Sequence, residues 1–310
     1  MIRSPLFYVG DKYKLVPQLK ELFPNNISDY VEPFYGGGSS QLQINAYRYY
    51  LNDIDENIIG LHRLLLSYAN NQEEFFEMIF KIIKEYNLSC SLKDDVIPLD
   101  LKKSFPKTYY SRYNKSSYSR LRDDYNRKED KDYLKLYLLL IYGFNHMIRF
   151  NSNNQFNLPV GNVDFNKNVY EALINYFDLQ KNRDIVLSSM DFEKFLTSLN
   201  LGHNSFVYLD PPYLISMSEY NKLWTEETEL RLYALLDSLN NKGIRFGITN
   251  LAYHKGKTND IFLDWSKKYP AVRIDSNYIS FNDNTIKKDS VELYVCNYWG
   301  RYNHVNGKAW

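Results

Sequence analysis

Three short apolar runs, Ile185-Val186-Leu187, Phe206-Val207-Tyr208-Leu209 and Ile244-Arg245-Phe246-Gly247-Ile248, narrow the fold more than any other feature of the chain. They are apolar at nearly every position, with Arg245 the charged exception, and separated by helical segments, the pattern of strands buried on both faces of a parallel sheet. Upstream, Ser28 to Tyr35 reads as a strand that runs into Gly36-Gly37-Gly38-Ser39-Ser40, with a helical stretch expected from Gln41. Tyr47 to Asp53 reads as a second strand ending in an acid, and Ile58 to Ile83 carries apolar residues at helical spacing. Near the end, Ala271 to Phe281 and Val291 to Trp299 are aromatic and β-branched around Asn282-Asp283-Asn284, which predicts a closing antiparallel hairpin. The fold class is α/β.

The βα rhythm breaks between the second and third core strands, over about Tyr86 to Asn182, a stretch rich in Tyr, Asn, Ser and basic residues. A compact domain does not carry so long an unstructured loop, so this stretch reads as an inserted, mainly helical subdomain with a turn-rich tip near Asn151-Ser152-Asn153-Asn154. The expected organisation is a core part over 1–85, the insertion over 86–182 and the second core part over 183–310. With 310 residues, 44% hydrophobic, the chain has enough apolar material for such a core.

Net charge is only +1, but its distribution is uneven. The segment from Asn71 to Asp100 leans acidic, whereas Lys102 to Arg149 is rich in Lys and Arg, which reads either as a local basic face or as a solvated helix surface with mixed charges. No stretch approaches roughly 18 uninterrupted apolar residues, and Met1-Ile2-Arg3-Ser4-Pro5 lacks the marks of a secretory signal, so the expected location is the cytoplasm, with no membrane partner. Cys90 and Cys296 are isolated, with neither zinc-site spacing nor a disulfide framework, and no metal is expected.

Glu32-Pro33-Phe34-Tyr35-Gly36-Gly37-Gly38-Ser39 puts three glycines where a strand stops, which lets the backbone turn sharply and approach a ligand closely. Asp53 ends the next strand at about the separation at which an acid accepts hydrogen bonds from ribose hydroxyls; a plain glycine turn and a helix-capping aspartate would also fit. The loop is not G-x-G-x-x-G and lacks the Gly-Lys-Ser/Thr of a P-loop, which favours a nucleoside ligand without phosphates. Asp210-Pro211-Pro212-Tyr213 follows a buried strand, at the edge where open α/β sheets bind ligands. A carboxylate, free proline carbonyls and a flat ring suit an exocyclic amino group on a planar base, although a free-standing tetrapeptide of this kind can also be a turn.

In these motifs and their order the chain resembles the α-group amino-methyltransferases typified by the Dam DNA adenine methyltransferases, over nearly its whole length. Phe7 to Tyr13 looks like the family's N-terminal aromatic-x-Gly-x-Lys element, Glu32 to Ser39 like its cofactor loop and Asn52-Asp53-Ile54-Asp55 like its ribose-binding acid. Met190-Asp191-Phe192 resembles the element that holds the cofactor adenine, Asp210 to Tyr213 the catalytic motif, and Phe246 to Asn250 the strand behind it. Asp in first place matters, because relatives acting on cytosine N4 usually begin this motif with Ser and glutamine methyltransferases with Asn. Tyr142 to Asn151 followed by Gln155 to Gly161 is similar to the family's DNA-reading hairpin. His146 stands where relatives commonly have a small residue, and Asp11 where a glycine is usual.

The resemblance implies a Rossmann-like S-adenosylmethionine-dependent methyltransferase sheet whose insertion is a target-recognition domain containing that hairpin. It implies cofactor contacts from Tyr8, Lys12, Glu32, Phe34, Tyr35, Gly36, Gly38, Ser39, Asp53, Asp191, Phe192 and Asp210, with Lys12 at the carboxylate and Glu32 at the ammonium; an exposed lysine and a strand-end acid are the plainer readings of those two. Asp210, Pro211, Pro212 and Tyr213 are implied to be catalytic, and Asn145, Met147, Arg149, Asn151 and Pro159 to contact DNA. The implied partners are double-stranded DNA, read at a GATC-like site, and a cognate restriction endonuclease in the same system. The implied reaction flips an adenine out of the duplex and methylates its N6. Methylation of RNA adenine or cytosine N4, and a partner subunit that binds DNA without catalysis, are the competing readings.

Overall fold

A computed structural model describes all residues except 9, 11, 95, 217–223, 276–289 and 300–310. Its contacts separate two compact units, one made of Lys14–Tyr35, Ile44–Ile54 and Asp184–Trp310, the other of Met1–Tyr13, Gly36–Gln43 and Asp55–Arg183.

The first unit is built on a sheet. Its strands are β1 (Ile27–Glu32), β2 (Ala46–Asn52), β3 (Asp184–Ser188), β4 (Phe206–Leu209), β5 (Arg245–His254), β6 (Lys257–Thr258), β7 (Ala271–Ile274) and β8 (Ser290–Cys296). Across the sheet they run β3-β2-β1-β4-β5-β8-β7, with β6 paired to β5. The five strands from β3 to β5 are mutually parallel, and β8 is antiparallel to both β5 and β7. Fully buried β4 shows why the apolar runs do not alternate. Successive side chains point to opposite faces, and here both faces are covered. Phe206 and Tyr208 meet Phe23 at ring distances of 5.0 and 4.9 Å, while Val207 and Leu209 join the cluster of Val31, Phe195, Leu232, Leu236 and Phe262. Gly247 in β5 is required by its neighbour: a Cβ there would lie 2.0 Å from the Tyr294 hydroxyl.

The second unit is helical, with helices Glu56–Ser67, Gln72–Tyr86, Leu99–Ser104, Tyr109–Arg127, Tyr133–Tyr142 and Lys167–Gln180. Leu136 to Tyr142 are all fully buried, so the helix Tyr133–Tyr142 is apolar all round and forms the centre of this unit. Asp132 caps its start, accepting a hydrogen bond from Lys135 N at 3.2 Å.

Three expectations need correction. The run Ile185-Val186-Leu187 is not buried on both faces: β3 lies at the edge of the sheet beside β2, and Val186 is 41% exposed. The helical stretch from Gln41 is a single 3₁₀ turn, Gln41–Gln43, because β2 begins three residues later. The periodicity from Ile58 to Ile83 is two helices, since the chain turns at Tyr68–Asn71 before restarting at Gln72. Strand β7 lies within the first expected hairpin segment and β8 begins one residue before the second, while the Asn282-Asp283-Asn284 turn, like Asp11, falls outside the described residues. No described helix is long and apolar enough to cross a membrane.

Candidate active site

Strand order reverses between β1 and β4: from β1 the chain works outward to β2 and β3, from β4 to β5. Where neighbouring parallel strands send their connections in opposite directions, their carboxyl ends part and leave a crevice, the usual ligand position in open α/β sheets. Pro33-Phe34-Tyr35 leave β1 there and Asp210-Pro211-Pro212-Tyr213 leave β4. The sheet thus brings Glu32, Phe34, Tyr35, Asp53, Asp191, Phe192 and the tetrapeptide to the carboxyl edge of four adjacent parallel strands.

Asn52, fully buried, ties this edge together. Its Nδ2 donates to the carbonyls of Pro33 (3.0 Å) and Met190 (2.9 Å), and its Oδ1 accepts from Met190 N (3.0 Å). One amide therefore fixes the chain just before Phe34, Asp53 and Asp191. Tyr35 N donates to Asn52 O at 2.8 Å and Asp53 N to Ser188 O at 3.3 Å, which extends the pairing past the strand ends. Glu32, 3% exposed, accepts from the Tyr30 hydroxyl at 3.1 Å.

The Asp191 carboxylate caps the helix Phe192–Ser198 by accepting from Glu193 N at 3.0 Å and also accepts from Arg231 Nη2 at 2.7 Å. Arg231 lies over the Phe192 ring, 4.7 Å from its centroid. Phe34, Phe192 and Trp224 pack mutually, with ring centroids 5.5 to 5.9 Å apart. Trp224 was not singled out from the sequence, and neither was the residue that holds it. Fully buried Glu229 accepts Trp224 Nε1–H on Oε2 at 3.1 Å, while its Oε1 accepts from Tyr233, Asn250 (3.1 Å) and Asn259 (2.7 Å).

Half-buried Asp210 is oriented by two hydroxyls. Its Oδ1 is 2.8 Å from the Tyr213 hydroxyl and accepts from Thr249 Oγ1 at 3.0 Å. Thr249, buried in β5, also lies 3.2 Å from the Tyr208 hydroxyl. Tyr213 is 8% exposed, packs with Ile215 and Leu251, and places its hydroxyl 2.6 Å from Glu292 Oε1 of β8. The motif strand Phe246 to Asn250 signalled Thr249 only as a neighbour, and nothing local signalled Glu292.

In the helical unit, Tyr8 is buried and Lys12 half-buried. Gly36 and Gly38 have φ of +46° and +72°, the left-handed region in which only glycine is unstrained. The Ser39 hydroxyl is buried and meets no hydrogen-bond partner among the described residues. His62, 1% exposed, bonds through Nε2 to the Gly36 carbonyl at 2.8 Å; a carbonyl only accepts, so Nε2 carries the hydrogen. Burial pushes this imidazole down to about 4, against the raising effect of that bond.

The segments Tyr142–Asn151 and Gln155–Gly161 pair antiparallel through bridges at Gly143/Val160 and Phe150/Phe156, without extended strands. Asn145, at φ +54°, and Pro159 are exposed; Met147, Arg149 and Asn151 are half-buried. Arg149 donates from Nε to Asn157 Oδ1 (2.9 Å) and from Nη2 to Asn157 O (2.8 Å). Part of the basic stretch serves packing, with Arg112 over the Phe105 ring and Arg120 over the Tyr86 ring.

The architecture is that of an α/β protein with a central, mostly parallel sheet, and it sets an acid and aromatic rings at the strand ends where strand order reverses. Residues 8–279 match the family described as D12 class N6 adenine-specific DNA methyltransferase, and the chain belongs to that family. It is 32% identical over 305 residues to the Type II methyltransferase M.FokI of Planomicrobium okeanokoites, a match covering 96% of this chain and 43% of that protein. It is 32% identical over 320 residues to the modification methylase StsI of Streptococcus sanguinis, covering 99% and 45%. A DNA adenine methylase of Haemophilus influenzae is 29% identical over 221 residues, covering 71% of this chain and 66% of that one. The chain spans less than half the length of the first two relatives.

Proposed function

We propose that this chain transfers a methyl group from S-adenosylmethionine to the exocyclic N6 of adenine in double-stranded DNA. The observation that carries the reading is Asp210, held by Thr249 and Tyr213 at the carboxyl end of β4, beside the reversal of strand order. Family membership and relatives named as DNA adenine methylase and modification methylase support it.

The donor set fits the cofactor. Phe34 and Phe192 offer apolar rings to a purine, and Asp53 offers an acceptor to a ribose diol. Asp191 is already engaged by Glu193 N and Arg231, so a base amine would use a remaining lone pair of its carboxylate. Glu32 and Tyr35 complete the assignments in the sheet unit. In the helical unit, Tyr8, Gly36 and Gly38 are assigned on their motifs, Lys12 on its charge, and Ser39 on a buried hydroxyl that wants a partner. S-adenosylmethionine, when bound, supplies a methyl group already activated on a sulfonium.

The chain's own work is to make the amine a nucleophile. The N6 lone pair is delocalised into the ring, and Asp210 with the Pro211 carbonyl accepts its hydrogens so that the pair localises on nitrogen. Pro212 stiffens the turn, and the Tyr213 ring stacks on a base flipped out of the duplex. In this reading the fold is a Rossmann-like methyltransferase core over 1–85 and 183–310 with 86–182 as target-recognition domain. Asn145, Met147, Arg149, Asn151 and Pro159 meet DNA at a GATC-like site. The enzyme works in the cytoplasm, partnered in a restriction-modification system by a cognate endonuclease.

The test is incubation of the purified protein with methyl-labelled S-adenosylmethionine and duplex DNA, followed by digestion to nucleosides. Label in N6-methyldeoxyadenosine is expected. Label in N4-methyldeoxycytidine, or transfer to RNA alone, would replace the reading.

A further inference from the structure

We propose that Glu292 is a positioning residue for methyl transfer, acting through the hydroxyl of Tyr213. The inference rests on the adenine-methylation reading and adds a residue and a hydroxyl to it.

Glu292 sits on β8 opposite Leu251 of β5, with no exposed surface. Putting a carboxylate in a sheet core is costly unless it is hydrogen-bonded, which gives weight to the partners it has. One of them belongs to the catalytic motif: Glu292 Oε1 lies 2.6 Å from the Tyr213 hydroxyl, and that same hydroxyl lies 2.8 Å from Asp210 Oδ1. A phenol has a single hydrogen, so this O–H is the donor shared between two carboxylates. The ring, packed with Ile215 and Leu251, is held at its far end from both sides. Through it Glu292 fixes the plane of Asp210, whose Oδ1 Thr249 binds as well.

The chemistry needs that fixation. The methyl moves in line from sulfonium to N6, the carbon–sulfur electron pair leaves on sulfur, and the amine releases a proton toward Asp210. A misplacement of about 1 Å costs on the order of a hundredfold in such a geometry. The sequence alone gives Tyr213 a stacking ring and no use for its hydroxyl. Its two short contacts give the hydroxyl a task.

The test compares wild type, Tyr213→Phe, Glu292→Leu, Glu292→Gln and the Tyr213→Phe/Glu292→Leu double variant in the full chain. The readouts are kcat and KM for duplex DNA, cofactor affinity by calorimetry and the thermal midpoint. Tyr213→Phe and Glu292→Leu should each lower kcat about tenfold or more, with KM and cofactor affinity unchanged. Glu292→Gln, which keeps an amide oxygen for the phenol, should stay within about threefold of wild type. If Glu292 acts through the hydroxyl, Glu292→Leu should cost less than about twofold more once Tyr213 is Phe. Wild-type kcat in Tyr213→Phe, or a full additional loss in the double variant, overturns the proposal. Should Glu292→Leu fail to fold, Tyr213→Phe, which conserves volume, decides alone by the same criterion. A wild type that puts no methyl on adenine withdraws the underlying reading and this one together, and is seen before any variant is compared.

Discussion

Arg149 turns the Nε and Nη2 edge of its guanidinium onto Asn157, bonding the side-chain oxygen at 2.9 Å and the main-chain carbonyl at 2.8 Å. The side chain is therefore ordered by its own hairpin, which lowers the entropy cost of using it in recognition. In the proposed role it reads guanine O6 and N7 near the target adenine. Arg149→Ala should relax discrimination at one base position by about 1 to 3 kcal/mol, measured by kcat/KM on a panel of single-substitution duplexes. Uniform loss on every duplex, with a shallower salt dependence, would make Arg149 a phosphate contact. Asn157→Ala should give a weaker copy of the Arg149→Ala pattern, since it removes only the ordering.

His62, bonded to the glycine loop at the Gly36 carbonyl, should make the stability of the fold depend on pH. Its folded value of about 4 lies below the ordinary 6.5, so the unfolded chain takes up the proton first. Stability is intact above about pH 6.5 and falls as pH drops toward 4, by about 3 kcal/mol in total from this residue. Burial lowers His146 too, in the same direction. Denaturant titrations of wild type and His62→Gln at pH 7 and pH 4.5 check this: the wild type should lose more stability between them. Equal losses would mean that His62 does not carry the acid sensitivity.

Glu229 organises the aromatic cluster through chemistry that a single atom change exposes. Oε1 accepts three donors and Oε2 accepts the indole N–H of Trp224. In Glu229→Gln, an amide that keeps its oxygen on the three donors turns its NH₂ toward Trp224, donor against donor. The variant should lose about 1 to 3 kcal/mol and shift Trp224 emission, a shift absent in a Trp224→Phe background. Unchanged emission would mean that Glu229 does not set the indole.

What the sequence discloses and what it hides follow one physical line. Parallel strands announce themselves by consecutive apolar residues, so Phe206–Leu209 was legible as a run, and the motifs at strand ends came with it. The short turn Gln41–Gln43 looked helical because nothing local says how soon β2 starts; the Tyr49 hydroxyl, donating to Ile44 O, helps turn the chain there. Asn52 and Thr249 stood inside motif segments without a role of their own, and Trp224, Glu229 and Glu292 were not singled out. Their roles depend on partners brought up by the sheet, as when Asn52 meets Met190, 138 positions away.

Whether Asp210 makes the amine nucleophilic is read from single-turnover methyl transfer by Asp210→Ala, followed alongside calorimetric binding of S-adenosylmethionine. The variant should melt cooperatively, still bind the cofactor, and transfer methyl about a hundredfold or more slowly. A folded Asp210→Ala protein that methylates adenine at the wild-type rate would contradict that role.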